Sequence, residues 1–277
     1  MTPELISLAA SVAAVIVFSA VCILALRRGM RALQRRGEMR RAEALMGPAA
    51  RLGFAPVQDP SSVPADVPAF ELLNTGRDRR ASNVMRGTVN GLDSVLFDYK
   101  YFDVASDRFR GLGYGRDLFG CTIVCLRESW LSLPVFVMEP CLGELFEEQV
   151  KAGLEKQGQT ALQWRLGKVL VNVAIHLVGD PPGWSFPERP DFHYRVRGDD
   201  ERAVRGVFTP AVFDHFRNRP GYVVEGRAGW LLVTRPSHVL QQPASTNSDE
   251  GRLPAAQVES LVAEAIAALN VFRGAAR

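Results

Sequence analysis

Three carboxylates, Asp98, Asp103 and Asp107, stand in and just after the aromatic run LFDYKYF. Carboxylates this close can divide acid and base roles or hold a cation. Their commoner use is on a strand face or in a turn. Downstream, GLGYGRDLFG (111–120) carries Gly111, Gly113 and Gly115. A dinucleotide cradle needs G-x-G-x-x-G ahead of a helix, and a Walker loop needs Gly-Lys-Ser/Thr. The third spacing fails the first pattern and the second is missing, which leaves a loop between two strands. Cys121, Cys125 and Cys141 are soft ligands, but without Cys-x-x-Cys or a neighbouring His they read as small buried hydrophobes. His176, His193, His215 and His238 are dispersed; His176 lies in an apolar run and His215 is expected to face solvent. Neither H-E-x-x-H nor G-x-S-x-G occurs, although a triad built from distant positions stays open. Trp184, Phe186, Tyr222 and Trp230 read as core. These residues predict no metal and no cofactor. No catalytic residue is assigned, and Asp98, Asp103 and Asp107 are the candidates if the chain is an enzyme.

Strands must hold such residues. NVMRGTVNGLDSVLFDYKYF predicts a hairpin turning at Asn90-Gly91, a pair suited to positive φ. On its second strand Val95, Phe97, Tyr99 and Tyr101 share one face, while Leu96 and Phe102 make the other apolar, so cover on both sides is expected. Residues 121–126 and 133–138 give two further strands. LGELFEEQVKAGLEKQG shifts to a helical period, with Leu142, Leu145, Phe146, Val150 and Leu154 on one face. VLVNVAIHLV (169–178) and FHYRVRG (192–198) read as strands. Asp199 is expected to cap the helix of DDERAVRGVF, and Thr209-Pro210 to start another. YVVEGRAGWLLVTR predicts a hairpin turning within Glu225–Gly229. In the last helix Val258, Leu261, Val262, Ala265, Ile266 and Leu269 form a wide apolar stripe. Strands and helices mix without βαβ alternation, which predicts an α+β class: a mixed, mainly antiparallel sheet with packed helices.

Ahead of these elements lies LISLAASVAAVIVFSAVCILAL, Leu5–Leu26, 22 residues without a charge. As a helix it reaches roughly 33 Å, enough for the hydrocarbon core of a bilayer. An export signal would want a basic n-region and a shorter apolar stretch. Arg27, Arg28, Arg31, Arg35, Arg36, Arg40 and Arg41 all follow the span, and no basic residue precedes it. Positive flanks stay in the cytoplasm, so the N-terminus is expected outside and the rest within, at a bacterial inner membrane. The bilayer is thus an expected partner. The net charge is +3, yet residues 27–41 alone carry +6, leaving 42–277 near −2. The domain has no basic face of its own in the pattern, which predicts no nucleic-acid partner. Prolines at 56, 60, 64 and 68 block a helix and predict either an extended spacer or an arm packed along the domain. The expected organisation is a transmembrane anchor at 1–26, a basic juxtamembrane helix at 27–52, a proline-rich linker at 53–69 and a cytoplasmic α+β domain at 70–277, divisible near 158–168.

Over residues 70–240 the segments GRDRRASNVMRGTVNG, LFDYKY, LPVFVMEP, DFHYRVRGDDERAVRGVFTPAVFDHF and GYVVEGRAGWLLVTR are similar in order and kind to a family of bacterial single-pass membrane-anchored proteins with no assigned activity. The resemblance implies an N-terminal hydrophobic span and supplies no catalytic residues. Together these observations predict a membrane-anchored binding or scaffolding module with a membrane or cytoplasmic protein as partner. The alternative is an enzyme whose site lies around the 84–140 sheet and the 104–119 loop.

Overall fold

A computed structural model of the chain describes residues 36–102, 118–141, 183–189, 191–217, 219, 221–235 and 252–275. The apolar span 5–26, Arg27, Arg28, Arg31 and Arg35, Asp103 and Asp107, the glycine loop, the helix expected at 142–158, the strand expected at 169–178 and the break near 158–168 lie outside the described residues. The chain divides into two compact units, Met1–Ala44 and Leu45–Arg277. In the first, residues 36–44 are helical; Arg36 and Arg40 are exposed and Arg41 is buried. The second unit holds the sheet and its covering helices.

The first described helix, α1, covers 36–51 and ends where Gly53 takes φ 89° and its N–H reaches back to Ala50 O. The strands are β1 (Phe54–Pro56), β2 (Arg77–Val89), β3 (Leu92–Phe102), β4 (Leu118–Arg127), β5 (Phe136–Pro140), β6 (Tyr194–Gly198), β7 (Val223–Arg227) and β8 (Trp230–Thr234). The remaining helices are α2 (Glu71–Asn74), α3 (Glu201–Val207), α4 (Pro210–Arg217) and α5 (Val258–Ala275). The class is α+β, as expected. The sheet runs β1-β2-β3-β4-β8-β7-β5-β6, and every neighbouring pair among the described strands is antiparallel. A mixed sheet is therefore corrected to an antiparallel one. For two of the pairs the reason is local: two-residue turns at Asn90-Gly91 and Ala228-Gly229, all four residues at positive φ, join β2 to β3 and β7 to β8, and such turns permit only antiparallel neighbours. Strands from both sides of residues 158–168 share the sheet, since β5 pairs with β6.

The sheet is covered on both faces, as the two-sided apolar pattern of β3 anticipates. On the helix side, Leu92 and Leu96 join Val124, Leu231 and Val233 beneath Leu261, Val262, Ala265, Leu269 and Phe272 of α5. Phenylalanines fill the end of this core. Phe186 meets Phe213 edge-on at 4.9 Å, and Phe136 lies 5.2 Å from Phe272. Gly226 lets the Phe136 ring lie across β7, because a Cβ there would stand 2.2 Å from Cε1 of the ring. On the opposite side Val95, Phe97, Tyr99 and Tyr101 pack with Cys121, Ile123, Cys125, Trp230 and Leu232.

Residues 57–74 cover that second side. Of the two arrangements open to the proline-bearing segment, it takes the packed one. β1 adds to the edge of β2, Val57 N–H donates to Val84 O, and Val84 N–H donates to Pro60 O. Proline lacks a donor but keeps its carbonyl, so it serves at an edge where only an acceptor is needed. Val67, Phe70 and Leu72 of this arm are buried against the sheet. Among the described residues Ala255–Ala275 is the helix long and apolar enough to cross a membrane. Its stripe is already spent on the sheet: Val258, Leu261, Val262, Ala265, Ala268, Leu269 and Phe272 are all buried. That helix runs through Gly274 to Ala275.

Candidate functional site

Of the three candidate carboxylates, Asp98 is described. Alternation along β3 turns it to the helix side, and its side chain has 0% exposure. Among the described residues, Asn83, Thr122 and Arg252 contact it. β2 bulges between Ser82 and Met85, with Asn83 at φ 55°, and this re-aims the Asn83 amide so that Nδ2 donates to Asp98 Oδ2 at 2.9 Å. Thr122, directly opposite on β4, donates Oγ1–H to Asp98 Oδ1 at 2.7 Å. Arg252, ahead of α5, brings Nη1 to 3.7 Å from Oδ2 with its own side chain 1% exposed. Thr122 Oγ1 also accepts the Leu253 N–H at 3.2 Å. The group is a sealed knot that pins the start of α5 to the sheet. Both carboxylate oxygens of Asp98 thus accept hydrogen bonds from neighbouring strands.

A second buried carboxylate was not singled out by its sequence. Glu225 on β7 is 3% exposed and faces the arm side. Its Oε2 accepts the Glu71 N–H at 2.6 Å and its Oε1 accepts the Leu72 N–H at 2.7 Å, so it holds the first turn of α2. Beside it Arg197 on β6 donates to Glu71 at 2.7 Å and to Glu139 on β5 at 2.5 Å. Burial pushes the Glu225 carboxyl up to about 7; the two amide N–H groups oppose this, and Glu71 and Glu139 add to it.

Also on the arm side is an open groove of about 350 Å³, lined by arm residues including Val63, Pro64 and Val67, together with Leu73, Arg79 and Tyr99. Arg79 at its edge donates to Leu73 O and to Asn74 Oδ1, and the Tyr99 hydroxyl donates to Leu73 O at 2.7 Å. Among the described residues no group of three or more His, Cys, Asp or Glu side chains is placed to hold a metal.

No family model matches the chain, and no curated protein matches it. A solved structure is similar over most of its length. It is the crystal structure of the mycobacterial trehalose monomycolate transport factor A, TtfA, at 13% identity and a TM-score of 0.44, covering 84% of this chain and 94% of that one. A likeness at this level carries no argument about fold or function.

Cys121, Cys125 and Cys141 are buried thiols outside any disulfide. Cys121 and Cys125 share the arm-side core, where burial pushes the Cys121 thiol up to about 12. Phe186, Tyr222 and Trp230 are core, and Trp184 pairs with Val196 along the outer edge of β6. His215 is half-buried against the edge of Phe216 rather than facing solvent, and burial lowers its imidazole pKa. His193 is also half-buried, while His176 and His238 lie outside the described residues. The signal that could have found Glu225 is an acidic residue inside a β-branched hairpin, which needs buried donors to balance it.

Proposed function

We propose that this chain is a membrane-tethered binding or scaffolding module that acts by contact. In this reading Leu5–Leu26 is the anchor, and the arginines from Arg27 to Arg41 keep the remainder on the cytoplasmic side of a bacterial inner membrane. The folded domain then offers its arm side to a protein partner. The observation that carries the reading is the enclosure of Asp98. Asp98, the one candidate carboxylate among the described residues, is engaged in holding the fold, whereas an open groove on the arm side combines small and apolar side chains with Arg79 and Tyr99.

The test uses the intact chain in its membrane. A photo-crosslinking residue at Ala81, in the groove, is compared with one at Glu188, which is exposed elsewhere. A discrete adduct from position 81 that is missing from position 188 supports the reading. Identical adduct patterns from both positions, or none from either, would count against it.

A further inference from the structure

The outer edge of β2 is covered along only part of its length. β1 pairs with 85–87, and the arm then exchanges main-chain bonds with Val84 through Val57 and Pro60. Past Pro60 the arm leaves the edge and crosses the face of the sheet. Beyond that point β2 runs on through Ala81, Arg80 and Arg79. The tight turn at Asn90-Gly91 makes Val89 and Leu92 a hydrogen-bonded pair, and bonded pairs then alternate along an antiparallel ladder. In twos from Leu92, β3 bonds β2 at Asp98 and Lys100, opposite Ser82 and Arg80. Ala81, opposite Tyr99, therefore turns its own N–H and C=O outward. Among the described residues nothing pairs with them.

This open edge adjoins the groove. Ala81 and Arg79 line it from β2, Ser61, Pro64 and Pro68 line it from the arm, and Tyr99 lines it from β3. The charge along the edge is one-sided. Residues 77–83 include three arginines and one acid, Asp78. Arg79 and Arg80 are exposed. Arg79 Nη1 donates to Leu73 O and Asn74 Oδ1, and among the described residues neither guanidinium meets a carboxylate. Arg80 stands directly opposite Lys100, so the ladder holds two like charges side by side.

We propose that an extended acidic segment of a protein partner joins the sheet at this edge. Lying antiparallel to β2, its residue opposite Ala81 exchanges two main-chain bonds with Ala81 and sends an apolar side chain into the groove. The next residue brings a carboxylate to Arg80 on the helix side, and the one after it brings a carboxylate to Arg79 on the arm side. Bulges on either side, with Asp78 and Asn83 at positive φ, confine the regular edge to Arg80–Ser82, so the joined segment is short. A second copy of this chain is a poor occupant, because two such edges would set arginine against arginine. An acidic segment turns the same charges into attraction, so the arginines that deter self-pairing select the partner. The inference rests on the reading that the arm side meets a protein, and adds what that protein carries.

A fluorescent peptide, TSVDETVS, is titrated to about 1 mM against the intact, detergent-solubilised chain. Binding should saturate, and at about ten times the dissociation constant it should slow hydrogen exchange across 79–82 about tenfold. Methylating the first valine amide removes the donor that faces Ala81 O and should weaken binding at least about tenfold. TSVKETVS, with the charge opposite Arg80 reversed, should bind the unmodified protein more weakly, and Arg80→Glu should invert that preference. The inference is overturned by absence of saturable binding, by binding that leaves 79–82 unprotected, by a methylated peptide that binds equally well, or by an Arg80→Glu protein that keeps the original preference. Protection of 79–82 that grows with protein concentration alone would give the edge to a second copy. Protection by phosphatidylglycerol vesicles but not by peptide would give it to lipid, and either result also overturns the inference. A crosslink from position 81 in the membrane without peptide binding defeats this inference and leaves the broader reading standing; peptide binding without that crosslink does the reverse.

Discussion

Asp98 and Arg252 lie far apart in the chain, yet each is the other's buried counter-charge. Taking both out of water is costly, and removing one partner leaves the other uncompensated. Asp98→Ala should therefore lower stability by about 3–5 kcal/mol, measured by urea unfolding, and Asp98→Asn, which keeps an acceptor for Thr122 but still leaves the Arg252 charge uncompensated, should recover only part of that loss. A loss below about 1 kcal/mol in the alanine variant would show that the knot is not structural. The sequence makes Asp98 visible as a carboxylate on an aromatic strand but conceals its purpose. Its partners arrive through a bulge at Asn83 and through a segment preceding the last helix, and neither carries a periodic signature. Glu225 was concealed for the same reason, since its donors are main-chain groups that any residues at 71 and 72 could supply.

Among elements, the hairpin about Asn90-Gly91 was the most legible, because a demand for two positive φ angles is written in the residue types themselves. Helix starts were less so. Two adjacent aspartates precede α3, and the helix uses the second: Asp200 Oδ1 accepts the Ala203 N–H at 3.1 Å, correcting the expectation that Asp199 is the cap. An acidic residue suits either position, and only the extended backbone of Asp200 decides. Asp200→Ala should cost about 0.5–2 kcal/mol in thermal or chemical unfolding, and Asp199→Ala close to nothing; the reverse order would move the cap. The arm was half legible. Proline every four residues excludes a helix but fits an extended spacer and a packed arm equally, and what decides is the apolar face that waits across the sheet.

For the whole molecule, two segments have the length and apolarity of a span: Leu5–Leu26 by sequence, and Ala255–Ala275 among the described residues. A helix that fills a core and one that crosses lipid share composition; they differ in what lies against them, and the last helix lies against β4 and β8. If the first segment is the anchor, the full chain should stay in the membrane pellet after alkaline carbonate washing. A chain lacking residues 1–26 should leave it while retaining 255–275. Retention of the shortened chain in the pellet would transfer the anchoring role to the last helix. The sheet order carries a cost in time as well. The arm is made early, but Glu225, which receives its first helical turn, follows Leu72 by 153 positions. At about 5–20 residues per second, a ribosome needs about 8–30 s to supply it. Throughout that interval β3 and β4 can already receive Phe70 and Leu72, but the main-chain bonds that fasten the first turn of α2 cannot form.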